Sequence, residues 1–302
     1  MENHTVGIIG LGALGVLFGE RLMAAGADVR VIADEARAAR YRAQGVTCNG
    51  AHVDFRYATP EEAQPVGLLI FATKESGLRA AMETAAGFIG PDTLILSMLN
   101  GITSEETIAA RFGEENVLYC TAQGMDAVKV GPALTYAHAG MIVLGERTPG
   151  EVTPRVQAVA DFLNAHGVKA LPVEDMVRRQ WGKLMLNVGV NQAVMVFEGD
   201  YGTVQTPGRP RDVMISAMRE VQRLSALEGY PIDDAEFDGW VALVDTLSPA
   251  GKPSMRQDGE AHRRSEVELF AGTIVRRAKK YGLDVPVNQW LYDTVREMEA
   301  KY

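Results

Sequence analysis

Val6-Gly-Ile-Ile-Gly-Leu-Gly-Ala-Leu-Gly15 contains the pattern GxGxxG, between an apolar run that predicts a strand and a helical pattern over residues 13–25. At the start of a βαβ unit, Gly10 permits a tight turn, Gly12 lets the backbone approach a pyrophosphate, and Gly15 lets the helix pack closely on the strand. Backbone N–H groups at the helix N-terminus then favour a negatively charged ligand. A glycine-rich turn with no ligand is the alternative, and the position in a βαβ unit argues against it. The predicted dinucleotide phosphate site comprises Gly10, Leu11, Gly12, Ala13, Leu14 and Gly15.

The region around this motif alternates short β-branched runs with helical patterns. Strands are expected at 6–9, 29–33, 68–73, 93–97 and 117–121, with helices at 13–25, 36–44, 76–88 and 104–112. Alternation at this spacing predicts an α/β fold with an N-terminal Rossmann-type doubly wound sheet. Residues 133–138 and 141–144 predict a hairpin, and a helix at 152–166 with a strand at 168–172 closes this half.

After Pro172 the strand patterns end and long helical patterns follow, at 175–197, 209–228, 235–247, 255–281 and 287–301. We therefore predict two domains. Residues 1–172 form the dinucleotide-binding Rossmann-like domain, and residues 173–302 form an all-α domain that carries the substrate and catalytic residues.

Composition excludes several classes of function. The 302 residues carry 30 basic and 39 acidic side chains, a formal net charge of −9, so nucleic-acid binding is not expected. The longest apolar run, 66–73, is far shorter than a membrane span, and the N-terminus lacks the basic segment of a signal peptide. Two cysteines and five histidines show no metal-ligand spacing, so no metal is expected. These features predict a cytoplasmic protein.

Asp34 follows the second predicted strand, nineteen residues after Gly15. A carboxylate at this position typically binds the ribose 2′-hydroxyl and repels a 2′-phosphate, which favours NAD over NADP. Two alternatives stay open: Asp34 as a helix N-cap, and a phosphate clamp formed by Arg37, Arg40 and Arg42. A solvated helix face is the more ordinary role for those arginines.

Lys183, Asn187 and Asn191 are spaced i, i+4, i+8 and line one stripe of a predicted helix, while the residues between them are apolar or glycine. Burial would lower the pKa of the lysine and suit it to donate a proton near neutral pH. A lysine whose charged end reaches water, beside two amides with internal partners, is the alternative.

Further candidates lie in both halves. Glu266 heads an apolar stripe, so it can either bind a ligand hydroxyl or form an ion pair with Arg263 or another basic side chain, whereas Glu268 is expected to be solvated. Lys74 and Asn100 follow predicted parallel strands, at the carboxyl ends where open α/β sheets bind ligands.

Together these segments resemble ketopantoate reductases (2-dehydropantoate 2-reductases), enzymes of pantothenate and coenzyme A biosynthesis, over nearly the whole chain. The shared features run from Gly10–Gly15 through Lys74, Asn100-Gly101, Lys183-Leu-Met-Leu-Asn187 and Asn191 to Ser254-Met-Arg-Gln-Asp258 and Glu266. The resemblance implies hydride transfer from NADPH, the family norm, to the C2 ketone of 2-dehydropantoate.

The same resemblance implies roles for individual residues. Lys183 would be the general acid, and Glu266 would lie at the active site against substrate or cofactor. Asn100 would contact both ligands. The residues implied to hold the 2-oxo acid are Asn100, Lys183, Asn187, Asn191 and Ser254.

Three departures from the family pattern concern specificity. Asp34 stands where the family usually has a basic residue, which slightly favours NADH here. Gln192 stands where the family usually has proline, and an asparagine of some members aligns near Asp200-Tyr201.

Two alternatives to a reductase that forms (R)-pantoate stay open: the departures favour the first, and the second stays open because a fold does not by itself fix a function. One is an NADH-dependent D-2-hydroxyacid dehydrogenase that acts on branched 2-oxo acids, and the other is a non-catalytic dinucleotide sensor. The expected partner is a small-molecule 2-oxo acid, and a homodimer is compatible with this interpretation.

Overall fold

The computed structural model describes residues 3–302 and divides the chain into two compact units. The first unit extends to Val177 and the second comprises Arg178–Tyr302. The boundary falls five residues beyond the predicted one, because helix α6 (Met176–Val196) begins at the end of the first unit and continues into the second.

The first unit is built on an eight-stranded sheet in the order β12-β11-β8-β7-β6-β1-β2-β5. Its strands are β1 (Val6–Ile9), β2 (Val29–Ile32), β5 (Arg56–Ala58), β6 (Leu68–Phe71), β7 (Leu94–Ser97), β8 (Val117–Met125), β11 (Ala139–Gly145) and β12 (Ala170–Pro172). All strands from β5 to β8 in this order are parallel, and β11 runs antiparallel to β8. The predicted doubly wound sheet is confirmed.

Strand order places the glycine-rich loop where the sheet changes direction. The chain leaves β1 toward β2 and β5, then returns to the other side of β1 at β6. The register pairs Ile9 with Phe71 and Phe71 with Ser97, so the carboxyl ends of β1, β6 and β7 lie at one edge. Open α/β sheets bind ligands at such a switch point.

Five α-helices lie wholly within this unit: α1 (Ala13–Ala24), α2 (Glu35–Gln44), α3 (Glu75–Ala85), α4 (Ser104–Phe112) and α5 (Pro154–Ala165). Their ends differ from those of the predicted helices by at most three residues. Their apolar faces pack on the sheet, where Phe18 of α1, Ile8 of β1 and Leu163 of α5 belong to one buried cluster.

The predicted hairpin over 133–144 is wrong, because its two segments pair in different sheets. β10 (Ala133–Thr135) pairs with β9 (Val128–Val130) and with β3 (Thr47–Cys48), which also pairs with β4 (Ala51–His52). β11 joins β8 in the main sheet instead. The partners of β10 include a strand more than eighty residues away, which local sequence patterning does not indicate.

In the second unit, Arg178–Tyr302, every regular element is a helix, as predicted for the C-terminal domain. Beyond α6 it contains α7 (Tyr201–Gln205), α8 (Arg209–Leu227), α9 (Asp234–Asp245), α10 (Ser254–Glu260), α11 (Thr273–Lys280) and α12 (Pro286–Glu299). Its core includes fully buried side chains from different helices, such as Trp181, Phe237, Phe270 and Leu291.

The predicted continuous helix over 255–281 is interrupted. α10 ends at Glu260, His262 has a φ of 50°, and the Arg263 amide donates to the Asp258 carbonyl at 2.8 Å. A π-helical turn over Glu268–Gly272 then leads into α11. A left-handed residue cannot continue a right-handed helix, so the apolar stripe from Val267 onward starts a new helical segment.

Among residues 3–302, no helix is long and apolar enough to cross a membrane, and no cluster of three potential metal ligands occurs. Cys48 and Cys120 are both buried, and neither forms a disulfide.

Candidate active site

Two glycines of the loop are required by the fold itself. Gly10 has a φ of +99°, and a Cβ there would lie 2.7 Å from the carbonyl oxygen of Ala72. A Cβ on Gly15 would lie 1.9 Å from the Gly10 carbonyl oxygen. Side chains at these positions would therefore break the close packing of the strand, the turn and α1.

Gly12 differs, because nothing in the chain requires it to be glycine. Its φ is −71°, and a Cβ would make an ordinary contact of 3.4 Å with the Ala72 oxygen. Gly12 is exposed and is the N-cap of α1, and no side chain caps this helix N-terminus. An exposed backbone with helix N–H groups directed outward fits a pyrophosphate, so these residues suit the dinucleotide.

Lys74 and Asn100 lie at the same edge of the sheet as the glycine loop. Lys74 is exposed at the N-cap of α3, three residues after β6, and Asn100 is half-buried in the loop after β7. Because β1, β6 and β7 are parallel and in register, the loops that carry Lys74 and Asn100 lie at the same sheet edge as Gly10. This agrees with the prediction that both residues follow the carboxyl ends of strands.

A buried chain of polar groups holds the loop that carries Asn100. The Leu99 amide donates to Ser97 Oγ at 3.4 Å, Ser97 Oγ to Ser104 Oγ at 2.8 Å, and Ser104 Oγ to Glu105 Oε2 at 2.8 Å. Ser97, Ser104 and Glu105 are each no more than 1 % exposed. Sequence reasoning missed this cluster because a serine and a glutamate in a first helical turn normally face water.

Asp34 is the N-cap of α2 and accepts a hydrogen bond from the Arg37 amide at 2.7 Å. Its second carboxylate oxygen lies 3.8 Å from Arg37 Nε, and the side chain is 53 % exposed. Asp34 therefore does cap α2, as one of the alternatives proposed, and this hydrogen bond uses only one of its carboxylate oxygens. The remaining oxygen stays at the surface, paired weakly with one arginine.

The polar stripe of α6 forms as predicted. Lys183 and Asn187 are half-buried and Asn191 is 7 % exposed, and Asn191 Nδ2 donates to Asn187 Oδ1 at 3.3 Å. The Asn187 oxygen already accepts this hydrogen bond, and its side-chain N–H groups are of the kind that can donate to a ligand oxygen. The apolar side chains that cover the rest of this stretch are Trp181, Leu184, Met185, Val188 and Val190.

Asn191 also connects α6 to α10. Its Oδ1 accepts from Ser254 Oγ at 3.1 Å and from the Met255 amide at 3.2 Å. Pro253, the N-cap of α10, provides no side-chain cap, so Asn191 supplies the missing acceptor for an N-terminal amide. The structure thus brings together Asn191 and Ser254, two residues assigned to the 2-oxo acid by resemblance and separated by 63 positions in the chain.

Glu266 is half-buried just before the π-helical turn, and its carbonyl accepts from the amides of Leu269 at 2.9 Å and Phe270 at 3.1 Å. Arg263, the partner suggested by spacing, pairs with Asp258 at 2.8 Å.

Glu268, expected to be solvated, is half-exposed and has specific partners. It accepts from Tyr292 Oη at 2.6 Å and pairs with Arg276 at 3.0 Å. Burial raises the pKa of Glu268, whereas the hydrogen bonds from Tyr292 and Arg276 lower it, and the net shift is downward.

Tyr201 occupies one of the positions that depart from the family pattern. It follows Asp200, the N-cap of α7, whose Oδ1 accepts from the Thr203 amide at 3.1 Å. The Tyr201 amide donates to the Gly251 carbonyl at 2.9 Å, and burial raises the pKa of its phenol. Tyr201 therefore packs against the loop that leads to Ser254, as a neutral side chain.

A glycine loop at the switch point of a parallel sheet, together with a helical unit that presents lysine and amides on one helix face, is typical of NAD(P)H-dependent oxidoreductases. The family model for ketopantoate reductase PanE/ApbA matches residues 6–148, and that for its C-terminal part matches residues 175–299. The chain belongs to the ketopantoate reductase family, whose enzymes are NAD(P)H-dependent oxidoreductases.

Individual relatives cover the whole chain. A 2-dehydropantoate 2-reductase of Archaeoglobus fulgidus is 29% identical over 305 residues, which is 99% of each chain. The ternary structure of D-mandelate dehydrogenase with NADH and anilino(oxo)acetate has a TM-score of 0.86 at 24% identity, covering 98% of this chain and 99% of that one. A dimeric ketopantoate reductase from Staphylococcus aureus has a TM-score of 0.82 at 20% identity, covering 98% and 99%.

Proposed function

We propose that this oxidoreductase reduces the C2 ketone of 2-dehydropantoate to (R)-pantoate, with Lys183 as the general acid. The observation that carries the proposal is the polar surface of the helical unit. Lys183 and Asn187 share one face of α6 with Asn191, which joins that face to Ser254. Relatives named 2-dehydropantoate 2-reductase, which match this chain over nearly their full length, support the same substrate.

Each residue has a role that follows from its chemistry. The ammonium of Lys183 donates a proton to the substrate carbonyl oxygen and stabilises the negative charge that develops there. The Asn187 amide donates to a substrate oxygen, and Ser254 orients the acid together with Asn191. Glu266 contacts the substrate or the cofactor. When bound, the reduced nicotinamide supplies the hydride that adds to C2.

For the dinucleotide, we assign the pyrophosphate to residues Gly10–Gly15 and further contacts to Lys74 and Asn100. Asn100 also reaches the substrate in this assignment. Asp34 favours NADH, because its surface carboxylate can accept the ribose 2′-hydroxyl and would repel a 2′-phosphate.

A second candidate is an NADH-dependent D-2-hydroxyacid dehydrogenase for other branched 2-oxo acids. Asp34 and the likeness to D-mandelate dehydrogenase, whose structure holds NADH and anilino(oxo)acetate, favour it. A non-catalytic dinucleotide sensor would bind NAD(P)H without turnover. A cytoplasmic location and a homodimer, the latter suggested by the dimeric relative, remain predictions.

The test is steady-state oxidation of NADH and of NADPH, followed at 340 nm, with 2-dehydropantoate and with 2-oxoisovalerate, which lacks the 4-hydroxyl. A site built to bind that hydroxyl should prefer 2-dehydropantoate by about 100-fold or more in kcat/KM. Equal or faster reduction of 2-oxoisovalerate would identify the hydroxyacid dehydrogenase. Tight dinucleotide binding without oxidation of either cofactor would identify the sensor.

A further inference from the structure

Gln192 is a polar side chain that the proposed reaction does not use, although it follows Asn191 directly on α6. It is 0 % exposed. Its Nε2 donates to the Val188 carbonyl at 2.8 Å, and its Oε1 accepts from the Ala271 amide at 3.1 Å. Both ends of the amide group are therefore satisfied by backbone, one within α6 and one across to the segment that follows Glu266.

The role of Gln192 Oε1 as an acceptor follows from the backbone hydrogen bonds of the π-helical turn. The amides of Leu269 and Phe270 both donate to the Glu266 carbonyl, and the Gly272 amide donates to the Val267 carbonyl at 3.0 Å. The Ala271 amide, which lies between them, donates to the Gln192 side chain. Gln192 thus supplies, from another helix, the acceptor for a buried amide of the turn that begins two residues after Glu266.

The same stretch of α6 holds α10 through Asn191. Neighbouring residues on one helix therefore bind two other segments: Asn191 contacts Ser254 and Met255, and Gln192 contacts Ala271. A shift of the Glu266 segment relative to α6 would change the distance between Glu266 and the Lys183 face. Hydrogen bonds between buried groups resist such shifts, since breaking them leaves buried donors unpaired.

We propose that Gln192 is a positioning residue, which fixes the Glu266 segment against the Lys183–Asn191 face and so sets the affinity for the 2-oxo acid. This inference rests on the proposed function of that face. In this inference Glu266 contacts the 2-oxo acid and not the cofactor. The glycine loop that we assign to the dinucleotide is bonded within the first unit, so a shift of the Glu266 segment should affect only 2-oxo acid binding.

The principal variant is Gln192→Met, which keeps the length of the side chain and removes both hydrogen bonds. We expect its KM for the 2-oxo acid to rise about tenfold and pantoate binding, measured by calorimetry in the presence of NAD⁺, to weaken by a similar factor. The Kd for NADH, measured by its fluorescence, should change less than twofold.

A matched control is Gln222→Met. Gln222 lies on α8, and its Nε2 donates to the Ile232 carbonyl at 3.0 Å. Gln222→Met loses this bond to the backbone and also the side-chain hydrogen bonds with Arg219 and Asp234. It should therefore lower the melting temperature without raising the KM for the 2-oxo acid.

Gln192→Glu provides a second readout and a variant of nearly identical shape. When protonated, a glutamic acid can donate to Val188 and accept from Ala271, whereas its carboxylate can only accept. The KM for the 2-oxo acid should therefore be near that of the unmodified chain at acidic pH and rise as the carboxyl ionises. The unmodified chain and Gln222→Met should lack this additional pH dependence.

The inference is overturned if Gln192→Met melts at a lower temperature while its KM and its pantoate affinity stay within twofold of the unmodified chain, or if the KM of Gln192→Glu follows the unmodified pH profile. Lys183→Ala in the same assay distinguishes this failure from that of the proposed function. Unchanged turnover in Lys183→Ala removes the proposed function, and the role of Gln192 with it.

Discussion

The glycine loop and the polar face of α6 are built in opposite ways. The loop uses consecutive residues from Gly10 to Gly15, and it offers backbone groups to its proposed ligand. The α6 face uses side chains, and its neighbours come from distant segments such as Ser254. A site made of consecutive backbone groups is fixed by local conformation, whereas a site made of distant side chains depends on how helices pack.

Removing the proposed general acid should give the largest effect. It should slow the reaction at the α6 face and leave dinucleotide binding at the glycine loop unchanged. In Lys183→Ala, we expect kcat to fall about 1,000-fold, because both proton donation and charge stabilisation are lost. The Kd for NADH, measured by fluorescence titration, should stay within twofold. Lys280→Ala, an exposed lysine at the end of α11, is the control. A kcat within tenfold of the unmodified chain would contradict the assignment.

The loop can be divided into residues that serve the fold and one that serves the ligand. Gly12→Ala should leave the melting temperature nearly unchanged, because the new Cβ makes only an ordinary contact with the Ala72 oxygen. It should weaken NADH binding at least about tenfold, because the Cβ would obstruct the proposed pyrophosphate.

Gly15→Ala should instead destabilise the protein, because its Cβ would overlap the Gly10 carbonyl. Thermal unfolding and NADH titration of both variants separate these effects. If Gly12→Ala binds NADH as tightly as the unmodified chain, the pyrophosphate does not lie on this backbone.

Asp34 tests whether a side chain adds specificity to the backbone site. Asp34→Ser keeps a good N-cap for α2 and removes the charge, so the ratio of NADPH to NADH affinity should rise about tenfold with little loss of stability. Asp34→Ala, which also lacks the cap, should show the same ratio and lose about 1 kcal/mol of stability. An unchanged ratio in both variants would limit Asp34 to capping.

The smallest effect is expected from an ion pair that serves neither site. Glu146 follows β11 and accepts from Arg155 Nε at 2.8 Å, and this hydrogen bond, aided by Thr153, holds the pKa of the carboxyl below its usual value. A lowered folded-state pKa stabilises the protein above the unfolded-state value, about 4.3, and this stabilisation is lost as the pH falls through the folded-state value.

Glu146→Gln should therefore lower the free energy of unfolding at pH 7 by about 1 kcal/mol. The difference from the unmodified chain should shrink progressively below about pH 4.3. Urea unfolding at several pH values measures it, and NADH binding at pH 7 serves as the control. A difference that is constant from pH 7 to pH 3 would show that the carboxylate charge is not the cause.

The sequence predicted the structure best where neighbouring residues alone determine an element. β1, α1 and the glycine loop follow from consecutive residues, and the α6 stripe follows from helical spacing. The hairpin prediction was wrong because β10 pairs with β3 across more than eighty residues. The contacts of Asn191 with Ser254 and of Gln192 with Ala271 also join distant segments, so their presence depends on packing that no local pattern encodes.

We propose that this chain reduces a 2-oxo acid at C2 with Lys183 as the proton donor. The most direct measurement uses 2-dehydropantoate and NADH that carries two deuterium atoms at C4 of its nicotinamide ring, with mass spectrometry of the product. We expect pantoate with one deuterium at C2, formed by the unmodified chain and about 1,000-fold more slowly by Lys183→Ala. Absence of labelled pantoate from the unmodified chain would rule out this reaction, and its formation by Lys183→Ala at an undiminished rate would rule out Lys183 as the proton donor.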